Sequence, residues 1–240
     1  MRYFGIRNRG NKPEKPPIPQ DRAESWDVII LTLKLMFSRL EFWIQINFWT
    51  LLFSLPLITA PAATAAMYHT IAAGLRDPAG ARVKIIHEMM AGVKKYFGKA
   101  LLLALIRWAV FAIIAISIYF WITRDSWSLR LISIFSIYGL FLWWLSNGYL
   151  YPFLVDHPEM TVLGVVKSAF MLGFSRPFQS LLYAMVSTLL LIGGIILLGP
   201  VMLIVLVLRS MLMLQGCWFL RKEEIPGFMD ISEYSQKHNL

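Results

Sequence analysis

The chain has 240 residues, of which 58% are hydrophobic and only 15% charged, with 23 Lys and Arg against 14 Asp and Glu, and its mean hydropathy is +0.60. That composition excludes an ordinary water-soluble domain and points to lipid as the main solvent. The single cysteine, Cys217, excludes an intrachain disulfide, and its apolar neighbours Trp218, Phe219 and Leu220 predict a buried small side chain and not a reactive thiol.

Residues 1–22 form a basic tail in which Pro13, Pro16, Pro17 and Pro19 discourage helix. It has no apolar run of the kind a secretory signal needs, so a disordered cytoplasmic tail is expected. Its charges fit anionic phospholipid at the cytoplasmic face, and without a groove-fitting helix no nucleic-acid partner is expected.

A single membrane domain is predicted over 23–222. In 23–41, Trp26, Ile29, Ile30, Leu33, Met36, Phe37 and Leu40 recur at helical spacing opposite Glu24, Asp27, Lys34, Ser38 and Glu41, which predicts an interfacial helix. Residues 42–74 are nearly uncharged but broken by Pro56 and Pro61, giving a hairpin whose short arms, near the lower limit for a full crossing, also allow a re-entrant loop. A second interfacial helix is expected over 79–97, with Val83, Ile86, Met90, Val93 and Phe97 on its apolar side. The hairpin 100–151 follows, built from Ala100 to Ile122 and Leu131 to Tyr151. A third interfacial helix is expected over 158–174, with Asp156 as its cap and Glu159 completing a capping box. The last hairpin, 179–220, turns at Gly199-Pro200, and 223–240 form a cytoplasmic tail. The expected fold is therefore all-α: a polytopic helical membrane bundle of about five to six membrane segments in three hairpins, with interfacial amphipathic helices.

Orientation follows from Lys and Arg. If 42–74 folds as a hairpin, both termini and both long connections are cytoplasmic, leaving only Arg124 and Arg130 outside and Arg107 and Arg209 within the membrane. This predicts a multi-pass protein of the plasma membrane, the inner membrane in a bacterium. Trp121 and Trp127 fit an outer aromatic belt, and Trp26, Trp43 and Trp218 an inner one.

Catalysis is not expected. The acidic residues all lie in tails, connections or segment ends, which leaves no intramembrane carboxylate pair. His69, His87, His157 and His238 lack metal-ligand spacing, and no phosphate-binding loop or hydrolase motif is present, so neither a metal nor a cofactor is expected. Gly193-Gly194 suits close helix packing. Arg107 and Arg209 stand out, because a cation at mid-depth costs roughly 2.5–3.5 kcal/mol unless it finds partners. The candidate partners are neutral: Gln45, Asn47, Ser54, Thr59, Ser187, Thr188, or carbonyls freed near Pro56 and Pro61. The arginines, with Asn47 and Thr59, either line a polar site for an anion or lipid head group or pin helices together.

The run Asn47-Phe48-Trp49-Thr50-Leu51-Leu52-Phe53-Ser54-Leu55-Pro56-Leu57-Ile58-Thr59-Ala60-Pro61-Ala62, through Ala65, resembles the signature of the YesL family of bacterial membrane proteins. Lys94-Lys95-Tyr96-Phe97-Gly98-Lys99 and Asn147-Gly148-Tyr149-Leu150-Tyr151-Pro152 extend the similarity, which makes Pro56, Pro61, Asn147 and Pro152 structural signature positions. The family has no established activity and is often encoded beside carbohydrate ABC-transporter genes. The resemblance thus implies a non-enzymatic accessory or scaffold component with ABC-transporter subunits as partners. The alternative is a small carrier or channel, or a lipid- or anion-binding protein, with a site near the proline break and Arg107 and Arg209. The long Pro-rich tail and the arginine pair map to no family motif.

Overall fold

The computed structural model describes residues 24–76, 84–124, 127–196, 200–223 and 225, with side chains left aside for 127–130 and 200–203. The tail 1–22, the start of the expected helix 79–97 through Val83, Gly199 of the expected turn, the side chains of Trp127 and Arg130, and the tail 223–240 apart from Glu223 and Ile225 lie outside the described residues. Within them the regular structure is α-helical and no strand occurs: α1 (Ser25–Ser38), α2 (Leu40–Ser54), α3 (Ala60–Arg76), α4 (Ile85–Ile122), α5 (Trp127–Asn147), α6 (Leu150–Asp156), α7 (Val162–Ser175), α8 (Pro177–Ile196) and α9 (Pro200–Arg221). Four stretches, Ile85–Ile122, Leu131–Asp156, Pro177–Ile196 and Ile204–Arg221, are long and apolar enough to cross a membrane. The chain is a helical membrane protein. At 15 and 17 residues, α2 and α3 fall short of the roughly 20 that a crossing needs.

The separation of 79–97 from a membrane helix beginning at 100 is corrected, because α4 runs unbroken for 38 residues. Nothing between Phe97 and Ala100 stops it: Gly98 has open space around it and no proline or capping residue follows. At about 1.5 Å per residue, α4 is nearly twice as long as roughly 30 Å of hydrocarbon. Its first turns, with Glu88, Lys94, Lys95 and Lys99, therefore extend beyond the apolar span. There α3 packs on it through small residues, and a Cβ on Gly92 would lie 2.9 Å from the Ala66 backbone.

Two breaks follow from local chemistry. α1 stops at Ser38, short of the expected 41, because Arg39 leaves helical geometry (φ −141°, ψ 46°) and opens α2. The carbonyl of Leu35 that this exposes accepts from the indole N–H of Trp43 at 3.0 Å and from Ser38 Oγ at 2.9 Å. α5 stops at Asn147, since Pro152 sits in the first turn of α6 and would clash with the Gly148 carbonyl in a continuous helix. Pro61 likewise occupies the first turn of α3, where its missing N–H costs nothing.

The third interfacial helix, α7, begins at Val162 and not at 158. Its cap is Thr161, whose hydroxyl accepts from the Gly164 N–H at 3.2 Å, so Asp156 and Glu159 do not form the expected capping box. At the centre stands α9, with 78% of its apolar window buried against 6% for α4. Around it pack α1, α2, α3, α6 and α8. Trp43 and Trp218 belong to this core and not to an interfacial belt, whereas Trp26 is exposed. Cys217 is buried.

Candidate functional site

Polar side chains gather in two places. The first is a clasp where the C-terminal ends of α3, α6 and α9 meet on Asp156, whose side chain is only 6% exposed. Its Oδ2 accepts from Trp218 Nε1 at 2.8 Å and from Arg221 at 3.2 Å, while Arg76 lies 3.8 Å from Oδ1. Arg221 also touches His157 and Glu223 and lies over the Phe153 ring at 4.8 Å. Glu223 and Lys222 close α9: the Glu223 N–H bonds the Trp218 carbonyl at 2.9 Å, with Lys222 in the left-handed region at φ 59°. Beside the clasp, Lys99 donates to the carbonyls of Pro158 and Met160, and the Tyr96 hydroxyl to that of Val155 at 3.2 Å. The Lys94–Lys99 and Asn147–Pro152 motifs are thereby brought to neighbouring parts of one assembly.

The second is a seam through the apolar part of the bundle. Arg209 on α9 donates through Nε to Ser187 Oγ on α8 at 2.7 Å. Arg107 on α4 lies near Tyr151 on α6. The Tyr151 ring stacks on Tyr68 of α3, with centroids 5.9 Å apart and planes 8° from parallel. Tyr68 in turn lies near Ser210 and near both arginines. The two arginines singled out from the sequence thus converge on one tyrosine stack. Among the described residues every ion pair lies elsewhere, so neither has a carboxylate partner.

Of the other residues expected to partner the arginines, Ser187 does so. Thr59 remains at the hairpin tip, where its hydroxyl bonds the Phe53 carbonyl at 2.6 Å and the Pro56 carbonyl at 2.8 Å. It satisfies carbonyls released by the break, a turn between two short helices, with Leu55, Leu57 and Ile58 exposed around it. Gln45 pairs with Glu41 at 3.5 Å, Ser54 with the Thr50 carbonyl at 2.7 Å and Thr188 with the Ala184 carbonyl at 2.8 Å. Asn47 is fully buried within α2. Asn147 lies beside Arg107 on the wall of a cavity between α4 and α5.

Sequence reasoning did not single out Tyr68, Tyr151 or Ser210. A usable signal was present, because a phenol in an apolar core needs a hydrogen-bond partner. On α3, burial holds the His69 imidazole below its usual 6.5, against the opposing pull of Glu88 at 3.4 Å.

No protein-family model matches the chain, and it matches neither a curated protein nor a solved structure.

Proposed function

We propose that this chain is a non-enzymatic accessory or scaffold subunit of the plasma membrane, with both termini in the cytoplasm, that serves a carbohydrate ABC-transport system. The observation that carries the packing half of this reading is the seam. Arg209 in the apolar region is met by a neutral hydroxyl from a neighbouring helix, that of Ser187, as a helix-pinning contact requires. The transport half comes from the resemblance to the YesL family. Candidate surfaces for a transporter subunit are the exposed apolar residues Trp26, Ile30 and Phe37 on α1 and Leu163, Met171 and Phe174 on α7.

The orientation rests on parity and charge. Whether the α2–α3 hairpin crosses twice or re-enters, the chain before α1 and the basic start of α4 fall on the same side, as the excess of Lys and Arg in both regions favours.

The test is purification from native membranes in mild detergent, with mass spectrometry of the proteins and lipids that remain bound. Stoichiometric transporter subunits are expected. A chain that emerges alone with a tightly held lipid or small anion overturns the accessory role and favours the second reading, anion or lipid binding, for which the observation is that Arg107 also borders a cavity.

A further inference from the structure

Arg209 bonds Ser187 on the neighbouring helix, whereas Arg107 borders a cavity. The cavity, of about 510 Å³, lies between α4 and α5, walled by Trp108 and Phe111 on one side and by Ile137, Phe141, Trp144 and Asn147 on the other. That volume lies within the roughly 300–1,000 Å³ of small-molecule sites. The hydroxyls of Ser117 and Ser136 meet at 2.9 Å while Arg107 and Asn147 share the cavity wall, so α4 and α5 run antiparallel, with Arg107 and Asn147 at one end and the apolar walls running on from there.

Two features of the polar end call for a ligand. Arg107 has no carboxylate partner among the described residues, and a guanidinium in hydrocarbon is strongly favoured by a phosphate that accepts its N–H groups. Asn147 Oδ1 is a buried acceptor with no hydrogen-bond partner among the described residues, and it requires a donor. The remaining walls are aromatic and aliphatic, and α4 is the span with the least of its surface covered by protein, so the groove opens towards lipid. A cation, an apolar channel and an unanswered acceptor that a turn of the Asn147 amide would bring to the groove match a single amphiphile.

We propose that the groove between α4 and α5 is a specific site for an anionic phospholipid with a hydroxylated head group, phosphatidylglycerol being the simplest. Its phosphate accepts from Arg107, a head-group hydroxyl donates to Asn147 Oδ1, and an acyl chain lies along Trp108, Phe111, Phe141 and Trp144. The site gives a concrete form to lipid binding at Arg107 and does not depend on the accessory role.

The test is reconstitution of the full chain in phosphatidylcholine vesicles carrying a minor fraction of phosphatidylglycerol, phosphatidic acid or phosphatidylethanolamine. Bound lipid is read by native mass spectrometry, and tryptophan quenching by acyl-brominated forms of each lipid is read in parallel. Phosphatidylglycerol is expected to be retained about tenfold over phosphatidylcholine. Arg107→Gln should abolish that preference, Asn147→Ala should reduce phosphatidylglycerol to the level of phosphatidic acid, and Arg209→Leu should leave both intact. If Arg107→Gln fails to fold, Asn147→Ala carries the test alone. Equal retention of phosphatidylglycerol and phosphatidylcholine by the wild type overturns the site. So does a preference unchanged in Asn147→Ala, and so does phosphatidic acid held as tightly as phosphatidylglycerol by the wild type, which would remove the hydroxyl contact. These outcomes are independent of whether transporter subunits co-purify.

Discussion

Two arginines on the same helix are satisfied in opposite ways. At the end of α9, Arg221 meets the carboxylate of Asp156 at 3.2 Å; inside its apolar run, Arg209 meets the hydroxyl of Ser187 at 2.7 Å. A carboxylate at mid-depth would carry its own desolvation cost, comparable to that of the cation it neutralises, so a neutral dipole is the cheaper partner there. At the helix ends several donors already converge on Asp156, and the same carboxylate ties three chain segments together. The clasp thus depends on one residue, and the seam is distributed over several.

Removing the shared acceptor should produce the largest effect. Asp156→Ala leaves Trp218 without an acceptor and Arg221, itself 14% exposed, with Glu223 as its remaining carboxylate, and is expected to cost about 2–3 kcal/mol in detergent unfolding experiments. Asp156→Asn keeps an acceptor for the indole and should recover part of that. A loss under about 1 kcal/mol would place the clasp with ordinary surface ion pairs. Arg76, at 65% exposure, contributes little by the same reasoning.

Thr59→Val tests the hairpin tip, which belongs to neither region. It leaves the Phe53 and Pro56 carbonyls without their hydroxyl, and a destabilisation of about 1–2 kcal/mol is expected. Arg209→Leu should do less, within about 1 kcal/mol of wild type. The lost charge-assisted bond, about 1.5–3 kcal/mol, is offset by relief from holding a cation in the apolar interior, roughly 2.5–3.5 kcal/mol. A loss comparable to that of Asp156→Ala would show that the seam is no more tolerant than the clasp.

The smallest effect is expected from pH. Since burial lowers the folded-state pKa of His69, the unfolded chain takes up its proton first as pH falls. The contribution of neutral His69 is complete above about 6.5 and declines as pH drops through that value towards the folded-state pKa. His69→Asn should flatten this part of the stability–pH profile. A wild-type profile that instead rises on acidification would mean that the Glu88 pairing outweighs burial.

Much of the fold was legible because it rests on local pattern. The apolar runs around Ile113, Phe135, Leu189 and Leu208 specify membrane helices by length alone, and the period of Trp26, Ile30, Leu33 and Phe37 specifies the exposed face of α1. The prolines were informative in the same way, since each acts on the backbone within one turn of itself. Arg107 and Arg209 stood out because any cation in an apolar run demands a partner.

Other features were not legible because they depend on residues distant in sequence. Trp43 and Trp218 look like belt residues by position, but Leu35 and Asp156 offer them acceptors inside the bundle. Asp156 has the sequence context of a helix cap, yet α9 brings Arg221 and Trp218 to it, and Thr161 takes the cap because its hydroxyl stands at the turn where α7 starts. The sequence by itself determined that this is a helical membrane protein, where its apolar segments lie and which charges are anomalous there, since the transfer of apolar side chains into lipid depends on composition and period alone. Only the tertiary structure decided which groups answer those charges, because hydrogen bonds at 2.7 to 3.2 Å require the convergence of helices that the chain separates by tens of residues.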